Sequence, residues 1–371
     1  MRRTMSRLII PALALALVLT GCAAGTPESS AVDNLPRVIV STPDPVPTGP
    51  TIGVSLPAVD FPAALFESSL ARANYKPMVL SAETVSEQRR QIKELIDGGA
   101  EVIIIAAIDG SGLVKQLASA RKAGIPVIAY DRLLRGSKNV NVYIAYDNCQ
   151  TGRAQATALL EGLATKGAGP HNIELIAGPS DDGNAAAVFN CSMAVLKPKI
   201  SDGTLRVPSG QVKRSQVSTP YWSAESMQKR LDSILSGFYA DGKSLDGILS
   251  PADFLSRAAI TTVEAGGRLT PIVTGGDSED ESVRWVASGR QNSTLHRSNQ
   301  VLIAETISLA TQLLDGKKIA YTDTKTFNNG VKVVPAYLVA PVTVTRANVC
   351  EVYEPGTYAS RVAADAPFCK G

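Results

Sequence analysis

Histidine is scarce in this sequence, and common hydrolase motifs are absent from it. Only two histidines occur in 371 residues, the cysteines form no CxxC pair, and neither GxSxG nor HExxH is found. A zinc site or a serine hydrolase is therefore not indicated, because those sites need such residues at such spacings. His296 lacks a catalytic context, and the adjacent acids Asp181 and Asp182 are typical of a solvated loop. We expect no enzymatic activity, no cofactor and no metal.

The apolar run at the N-terminus, residues 8–19, is shorter than the roughly 20 residues that span a bilayer. Three arginines precede it, which predicts a signal peptide over residues 1–21. The segment LTGC at residues 19–22 resembles the lipobox of bacterial lipoproteins. The resemblance implies that Cys22 carries lipid and anchors the protein to the cell membrane on its extracytoplasmic side. An ordinary secretory peptide is the alternative.

The small basic excess of the chain disappears with the leader. The whole chain has 37 lysines and arginines against 34 acidic residues, and residues 1–21 contain three of the arginines. A balanced mature charge indicates no nucleic-acid partner. Residues 22–50 are rich in Pro, Ser and Thr and lack the apolar content of a core. They predict a lipidated, flexible tether.

Five cysteines need an explanation in an oxidising compartment. If Cys22 carries lipid, four are left, and an even number favours disulfides. Four cysteines allow three pairings, and the alternative of a metal site lacks the usual ligand spacing. The pairing that we favour is Cys149–Cys191 with Cys350–Cys369.

From residue 51 onward the sequence alternates between short apolar runs and helical stretches. Runs such as Glu101–Ala107 and Pro126–Tyr130 are typical of buried strands, and the stretches between them carry apolar residues three and four apart. Repeated strand–helix units predict an α/β fold with parallel sheets covered by helices on both faces. About 300 residues exceed what one core usually holds, so we expect two lobes.

Three long blocks carry a resemblance to a known family. They are EVIIIAAIDGSGLVKQLASARKAGIPVIAYDRLLR at residues 101–135, GPHNIELIAGPSDDGN at 169–184 and TDTKTFNNGVKVVPAYLVAP at 322–341. Through them the chain resembles periplasmic sugar-binding proteins of the ribose/galactose/xylose type, most closely the multiple-monosaccharide and xylose-binding lipoproteins of ABC transporters. The resemblance implies a type I periplasmic binding protein fold, with two Rossmann-like lobes, three crossover segments and a ligand cleft between the lobes.

The resemblance also implies a division of the chain and a set of partners. The N-terminal lobe would comprise residues 51–146 plus 298–325, the C-terminal lobe residues 147–297 plus 326–349, and an irregular tail residues 350–371. A monosaccharide would bind by hinge closure, and an ABC transporter permease would receive it. We expect a monomer.

Polar residues that follow strands are the candidates for ligand contacts, because α/β sheets bind ligands at the carboxyl ends of their strands. Asp131 and Arg132 directly follow a predicted strand, and the resemblance implies that they bind sugar hydroxyls. A surface salt bridge is the alternative. Asp109 follows an earlier strand, with a helix cap as its alternative. Asp60 and Phe61 are candidates from the first strand–helix loop.

The resemblance implies further contacts from the second lobe and the hinge. Asn184 would be a polar contact and Asp277 an acid that binds hydroxyls, against the alternatives of a helix cap and a turn residue. Trp222 would stack on the sugar ring, against a tryptophan of the core or surface, and Arg297 would contact the ligand at the hinge. Asp253 is a weaker candidate, because the residue before it departs from the family pattern.

Other functions have to be weighed for the same domain. A transcriptional repressor needs a DNA-binding helix pair, where this chain has a leader and a tether. A ligand-presenting receptor for a membrane sensor kinase would use the same closed state as a transport protein, so it stays an alternative. A binder of a non-sugar, polyol-like ligand is another. The particular sugar does not follow from the residues.

Overall fold

The structure of the chain is a computed structural model that describes residues 46–59 and 61–370. The predictions of a signal peptide, of lipid at Cys22 and of most of the tether lie outside these residues. Asp60 lies outside them as well. No helix in the described part of the chain is both long and apolar enough to cross a membrane.

The described residues form strands and helices in the alternation that the sequence predicts. The strands are β1 (Thr51–Pro57), β2 (Lys76–Ala82), β3 (Val102–Ile105), β4 (Val127–Tyr130), β5 (Val142–Tyr146), β6 (His171–Leu175), β7 (Leu205–Arg206), β8 (Gly247–Leu249), β9 (Ile272–Val273), β10 (Ser293–His296), β11 (Ala336–Val339) and β12 (Val342–Thr345). The helices are α1 (Ala63–Arg72), α2 (Val85–Asp97), α3 (Val114–Lys122), α4 (Asn148–Ala164), α5 (Gly183–Ser201), α6 (Arg214–Val217), α7 (Ala224–Phe238), α8 (Asp253–Ala265), α9 (Asp280–Ser288), α10 (Asn299–Leu314) and α11 (Tyr358–Ala364).

The strands make two parallel sheets, which confirms the predicted α/β class. The larger sheet has the order β11-β5-β4-β3-β1-β2, and every pair in it is parallel. The smaller sheet has the order β7-β6-β8-β9 and is also parallel. Strands β10 and β12 form a separate antiparallel pair.

Each sheet is covered by helices on both faces, because its strands are apolar on both sides. In β3, alternate residues enter different cores: Ile104 packs with α1 and α10, whereas Ile103 packs with α2 and α3. The smaller sheet has helices α4 and α5 on one face and α7 and α8 on the other. Burial on both faces is what makes a run such as VIII uniformly apolar.

The chain crosses between the two sheets three times. It leaves the larger sheet between β5 and α4, returns between β10 and α10, and leaves again between β11 and β12. The last crossing differs from the predicted division, which assigns residues 326–349 to the C-terminal lobe. Ala336 pairs with Tyr143 of the larger sheet, so the crossing lies after Val339. The sequence misplaced it because β11 and β12 are separated by only two residues.

Four cysteines are paired as the sequence analysis favoured. Cys149 joins Cys191, which ties the start of α4 to the middle of α5, and Cys350 joins Cys369. The C-terminal tail, defined here as residues 350–370, is not irregular as predicted. It contains α11, and Tyr353 and Val362 pack with α9 in a small apolar core of their own.

Candidate ligand-binding cleft

A cleft of about 1090 Å³ lies between the lobe of the larger sheet and the lobe of the smaller sheet. The larger-sheet lobe contributes residues at the carboxyl ends of β4 and β5, and the smaller-sheet lobe contributes the turn before α9 and the starts of α4 and α5. This is the position at which parallel α/β sheets bind ligands. The polar residues that line it are Tyr130, Asp131, Arg132, Tyr143, Tyr146, Asn148, Asn184, Asp277, Glu279, Arg297 and Asn299.

Asp131 and Arg132 are held at the end of β4 by the backbone around them. The Asp131 N–H donates to the Ile144 carbonyl at 2.8 Å, and the Asp131 carbonyl accepts from the Tyr143 hydroxyl at 2.9 Å. Asp131 has a φ of 59°, an uncommon value that asparagine and aspartate tolerate better than most residues. The Arg132 guanidinium donates to the Ala107 carbonyl at 3.1 Å and lies 5.0 Å from the Phe61 ring centre.

Asp277 approaches from the other lobe, in the turn between β9 and α9. Its N–H donates to the Leu295 carbonyl at 3.2 Å, and the Glu279 N–H two residues later donates to a buried carboxylate, that of Asp253, at 2.9 Å. Asp277 and Ser278 have φ values of 91° and 52°, so the turn is tightly constrained. The sequence reaches this geometry with two short polar residues that accept left-handed backbone.

Arg297, at the second crossing, lines the same cleft and pairs with Asp277. Its guanidinium donates to the Asp277 carboxylate at 2.6 Å. Burial in the cleft raises the pKa of Asp277 and the pKa of Asp131. The charge of Arg297 lowers the pKa of Asp277 in part, and the charges of Arg132 and then Arg297 do so for Asp131. Arg297 thus pairs with the acid of the smaller-sheet lobe, and its charge also acts on Asp131 of the larger-sheet lobe. The Asp277 and Arg297 side chains are still 47% and 32% exposed, so solvent reaches the pair through the cleft.

Tyr130 adds a buried hydroxyl without a partner. The residue is 2% exposed, lines the cleft, and has Phe61 and Phe66 against its ring at centre distances of 6.4 Å and 5.0 Å. No described residue forms a hydrogen bond with its hydroxyl. Burial raises its pKa, and the charge of Asp131 raises it further, so the hydroxyl keeps its proton. A buried donor without a partner is costly unless a ligand or water satisfies it.

Six of the predicted site residues line this one cleft: Phe61, Asp131, Arg132, Asn184, Asp277 and Arg297. They come from both lobes and from a crossing, as the prediction of an interlobe site requires. Their contacts with a ligand stay predictions.

Three other predicted residues, Asp109, Trp222 and Asp253, do not line the cleft. The Asp109 carboxylate accepts from the Ser111 N–H at 2.9 Å within a turn; it is not the predicted helix cap either, because α3 begins at Val114 with Leu113 as its N-cap. Trp222 packs against Gly178 and the edge of Phe254, beside a separate surface pocket.

Asp253 is fully buried behind the cleft. Its carboxylate accepts from the Thr294 hydroxyl at 2.7 Å, the Gln291 amide at 2.9 Å and the Glu279 N–H. Burial raises its pKa to about 7, although these hydrogen bonds lower it in part. Asp253 therefore stabilises the turn that contains Asp277, through its bond with the Glu279 N–H.

The sequence analysis did not name several residues that line the cleft. Tyr130 and Tyr146 are the last residues of β4 and β5, so the rule that picked Asp131 would have included them only if extended to the final residue of each strand. Asn148 and Asn299 begin the helices that follow two of the crossings. Tyr143 lies inside a strand and carried no such signal.

One segment matches the sequence pattern of a phosphate-binding loop but does not have the structure of one. Residues 237–244, GFYADGKS, match the GxxxxGKS pattern of phosphate-binding loops. Such a loop joins a strand to the start of a helix. Here the segment runs from the end of α7 toward β8, the opposite order, and the Lys243 amine donates to the Phe238 carbonyl at 3.4 Å. The lysine caps a helix end.

In the part of the chain that the structure describes, no cluster of three metal-ligating side chains occurs.

Comparison with known proteins agrees with this architecture. The periplasmic binding protein domain matches residues 64–318. The multiple sugar-binding periplasmic receptor ChvE of Rhizobium radiobacter is 42% identical over 74% of this chain and 79% of its own length. The multiple sugar-binding periplasmic protein SbpA of Azospirillum brasilense is 37% identical over 81% of this chain and 87% of its own.

A solved structure is similar over most of the chain. It is an ABC transporter solute-binding protein from Clostridium phytofermentans with bound β-D-glucose, 33% identical, with a TM-score of 0.64 over 83% of this chain and 98% of that one. An α/β binding protein with an interlobe cleft is thus the class that fold and site define. The chain belongs to the periplasmic binding protein family, which confirms the resemblance found in the sequence. It is a binding protein and not an enzyme, and the family is extracytoplasmic.

The unpartnered Tyr130 hydroxyl generates a stability prediction. Tyr130→Phe removes no hydrogen bond, so the free energy of unfolding should stay unchanged or rise by up to about 1 kcal/mol. The matched control is Tyr143→Phe, which removes the bond to the Asp131 carbonyl and should cost about 1 kcal/mol. Urea unfolding of both variants measures this. An equal loss in the two would mean that the Tyr130 hydroxyl has a partner.

Proposed function

We propose that the protein binds a monosaccharide in this cleft and serves as the substrate-binding lipoprotein of an ABC-type sugar importer. The observation that carries the proposal is a cleft that brings Arg132 and Arg297 together with acids from opposite lobes, Asp131 and Asp277. Such a set suits a ligand with several adjacent hydroxyls, since carboxylates accept and the guanidinium donates.

The chemistry of the lining fits a neutral, hydroxyl-rich ring. Asp131 and Asp277 each offer acceptor oxygens, while Arg132 and Arg297 offer donors in fixed planes. Hydrogen bonds to charged groups contribute roughly 1.5–3 kcal/mol each. Phe61 supplies an apolar face for the C–H side of a ring. Asp131 and Asp277 balance Arg132 and Arg297 in charge, and the third carboxylate of the lining, Glu279, is paired with Arg257, which favours a neutral ligand.

The relatives support a sugar as the ligand. The two relatives described above are named as multiple sugar-binding proteins, and the similar solved structure holds β-D-glucose. A second solute-binding protein, from Chloroflexus aurantiacus, was solved with D-glucose at 30% identity and a TM-score of 0.65. We therefore propose an aldose, with D-glucose and D-xylose as the first sugars to test.

Binding is proposed to close the hinge formed by the three crossings. Asp131 belongs to the larger-sheet lobe and Asp277 to the smaller-sheet lobe, so a ligand that bonds both favours the closed arrangement. The division into two lobes is part of this proposal, with residues 336–339 on the larger-sheet side. The permease would recognise the closed state of a monomeric binding protein.

A receptor role is the second candidate. ChvE is named a receptor, and a sensor kinase would recognise a closed state as readily as a permease would. A ligand of polyol type would satisfy the same hydroxyl chemistry. The two roles share the binding site and differ only in the membrane partner.

The sugar proposal predicts stabilisation by ligand. At a concentration of 100 times Kd, the bound sugar should raise the free energy of unfolding by about 2.7 kcal/mol. A thermal-shift series with aldoses and polyols measures this effect. Asp131→Ala and Arg297→Met should abolish the shift. The matched control is Asp109→Ala, which removes an acid of the same lobe outside the cleft.

Two results would oppose the proposal. If no aldose or polyol shifted the melting temperature, the ligand class would be wrong. If Asp131→Ala kept the shift as fully as Asp109→Ala does, the cleft would not be the binding site.

We also propose lipid attachment at Cys22, on the strength of the LTGC segment and the apolar run before it. Cys22→Ser should move the protein from the membrane fraction to the soluble fraction of cells, because one cysteine carries the anchor. Metabolic labelling with a fatty-acid analogue, followed by fractionation, measures it. Labelling that survives the substitution would place the lipid elsewhere.

A further inference from the structure

The C-terminal tail bonds side chains that flank both members of the Asp277–Arg297 pair. Tyr353 binds the neighbour of Asp277, and Glu354 binds both neighbours of Arg297. Neither Tyr353 nor Glu354 lines the cleft. The tail therefore contacts neighbours of the binding-site residues without contacting the cleft itself.

The tail has a firm base from which to do this. Cys350–Cys369 closes it into a loop, and Val362 of α11 packs with Val283 and Val286 of α9. Helix α9 begins at Asp280, directly after the turn that contains Asp277. The tail and the turn thus rest on the same helix.

Tyr353 fixes the turn on the side of Asp277. Its side chain is 7% exposed, and its hydroxyl donates to the Ser278 hydroxyl oxygen at 3.0 Å. Ser278 has a φ of 52° and precedes Glu279, whose N–H is held by Asp253. Moving Ser278 would move the Asp277 carboxylate that precedes it in the same turn.

Glu354 fixes the crossing on the side of Arg297. Its carboxylate accepts from the Ser298 hydroxyl and lies 3.1 Å from the His296 Nε2 atom, and the Tyr353 ring lies 4.9 Å from the His296 ring. Partial burial alone would raise the pKa of Glu354, but hydrogen bonds from Ser298 and the backbone and the contact with His296 lower it overall. The carboxylate is therefore ionised at neutral pH.

Ser298 also ties the crossing to the larger-sheet lobe. Its hydroxyl oxygen accepts from the Val301 N–H at 3.2 Å as the cap of α10, and its carbonyl accepts from the Tyr146 hydroxyl at 2.8 Å. A displacement of Ser298 would reach Arg297, which precedes it, and Tyr146, which lines the cleft.

We infer that the tail sets the affinity of the cleft, with Tyr353 and Glu354 as positioning residues for the Asp277–Arg297 pair. The inference rests on the proposed function, because it concerns the same site. Tyr353 holds the neighbour of Asp277 and Glu354 holds the neighbours of Arg297, so loss of the contacts on either side lets the carboxylate and the guanidinium shift relative to each other. A ligand that must bond both then binds more weakly, although the fold persists.

The test compares matched tail substitutions. Tyr353→Phe removes only the hydroxyl bound to Ser278, and its control Tyr358→Phe removes a tail hydroxyl bound to Arg284 at 3.1 Å, away from the cleft. Titration calorimetry with D-glucose and with D-xylose gives Kd, and melting gives Tm without sugar. We expect Tyr353→Phe to raise Kd about fivefold and Tyr358→Phe less than about twofold.

The second pair tests the crossing. Glu354→Gln should raise Kd by about fivefold or more, whereas Glu351→Gln, at an exposed acid of the same tail, should leave it within about twofold. In an Arg297→Lys background, which keeps the charge but not the guanidinium fork, the effect of Glu354→Gln should shrink below about twofold. A purely structural role would not show this coupling.

The outcomes separate the two claims. If the parent protein binds neither D-glucose nor D-xylose, the proposed function in this form is contradicted and the inference falls with it. If the parent binds, and both tail variants bind as tightly as their controls, the inference alone is overturned. An equal loss from Glu354→Gln in the parent protein and in the Arg297→Lys background also overturns it, since Glu354 would then act independently of the pair.

Discussion

The ion pair between Arg297 and Asp277 is the contact on which the arrangement of charged groups in the cleft depends. The Arg297 guanidinium bonds the Asp277 carboxylate at 2.6 Å, and its charge also reaches Asp131 of the opposite lobe. As an isolated ion pair it would add little to stability, because both side chains keep solvent contact. Its value is in position: the charge of Arg297 lowers in part the raised pKa of both carboxylates and so favours their ionised, hydroxyl-accepting form. A ligand that takes over part of this network gains charged partners from both lobes at once.

The fold explains why these groups meet. Parallel strands bring their carboxyl ends to one edge of a sheet. The residues at the ends of β4 and β5 therefore lie on one side of the cleft, and the turn after β9 lies on the other. Arg297 lies in one of the three crossings, and the side chains of its two neighbours, His296 and Ser298, are bound by Glu354 of the C-terminal tail. If Arg297 bonds the ligand, as proposed, its place in a crossing would couple occupancy of the cleft to the angle between the lobes. A transport or sensing partner would then recognise that angle.

The sequence was informative wherever a local rule applied. Strand–helix alternation gave the α/β class, and the position directly after a strand selected Asp131. The sequence was less informative where burial determines whether a side chain lines the cleft. Asp253 stands at a plausible strand end but is fully buried, and Trp222 packs against Gly178 beside another pocket. The unpartnered hydroxyl of Tyr130 follows from three-dimensional packing, which no spacing of residues reveals. The last crossing was misplaced because a two-residue link carries no composition signal.

A crystal structure of the protein grown with D-glucose tests the central claim most directly. The account predicts one sugar in the cleft, with its hydroxyls at hydrogen-bond distance, about 2.7–3.2 Å, from Asp131 and from both members of the Asp277–Arg297 pair. A sugar bound to one lobe only, or in the pocket beside Trp222, would contradict it. So would a cleft that stays free of sugar at saturating concentration.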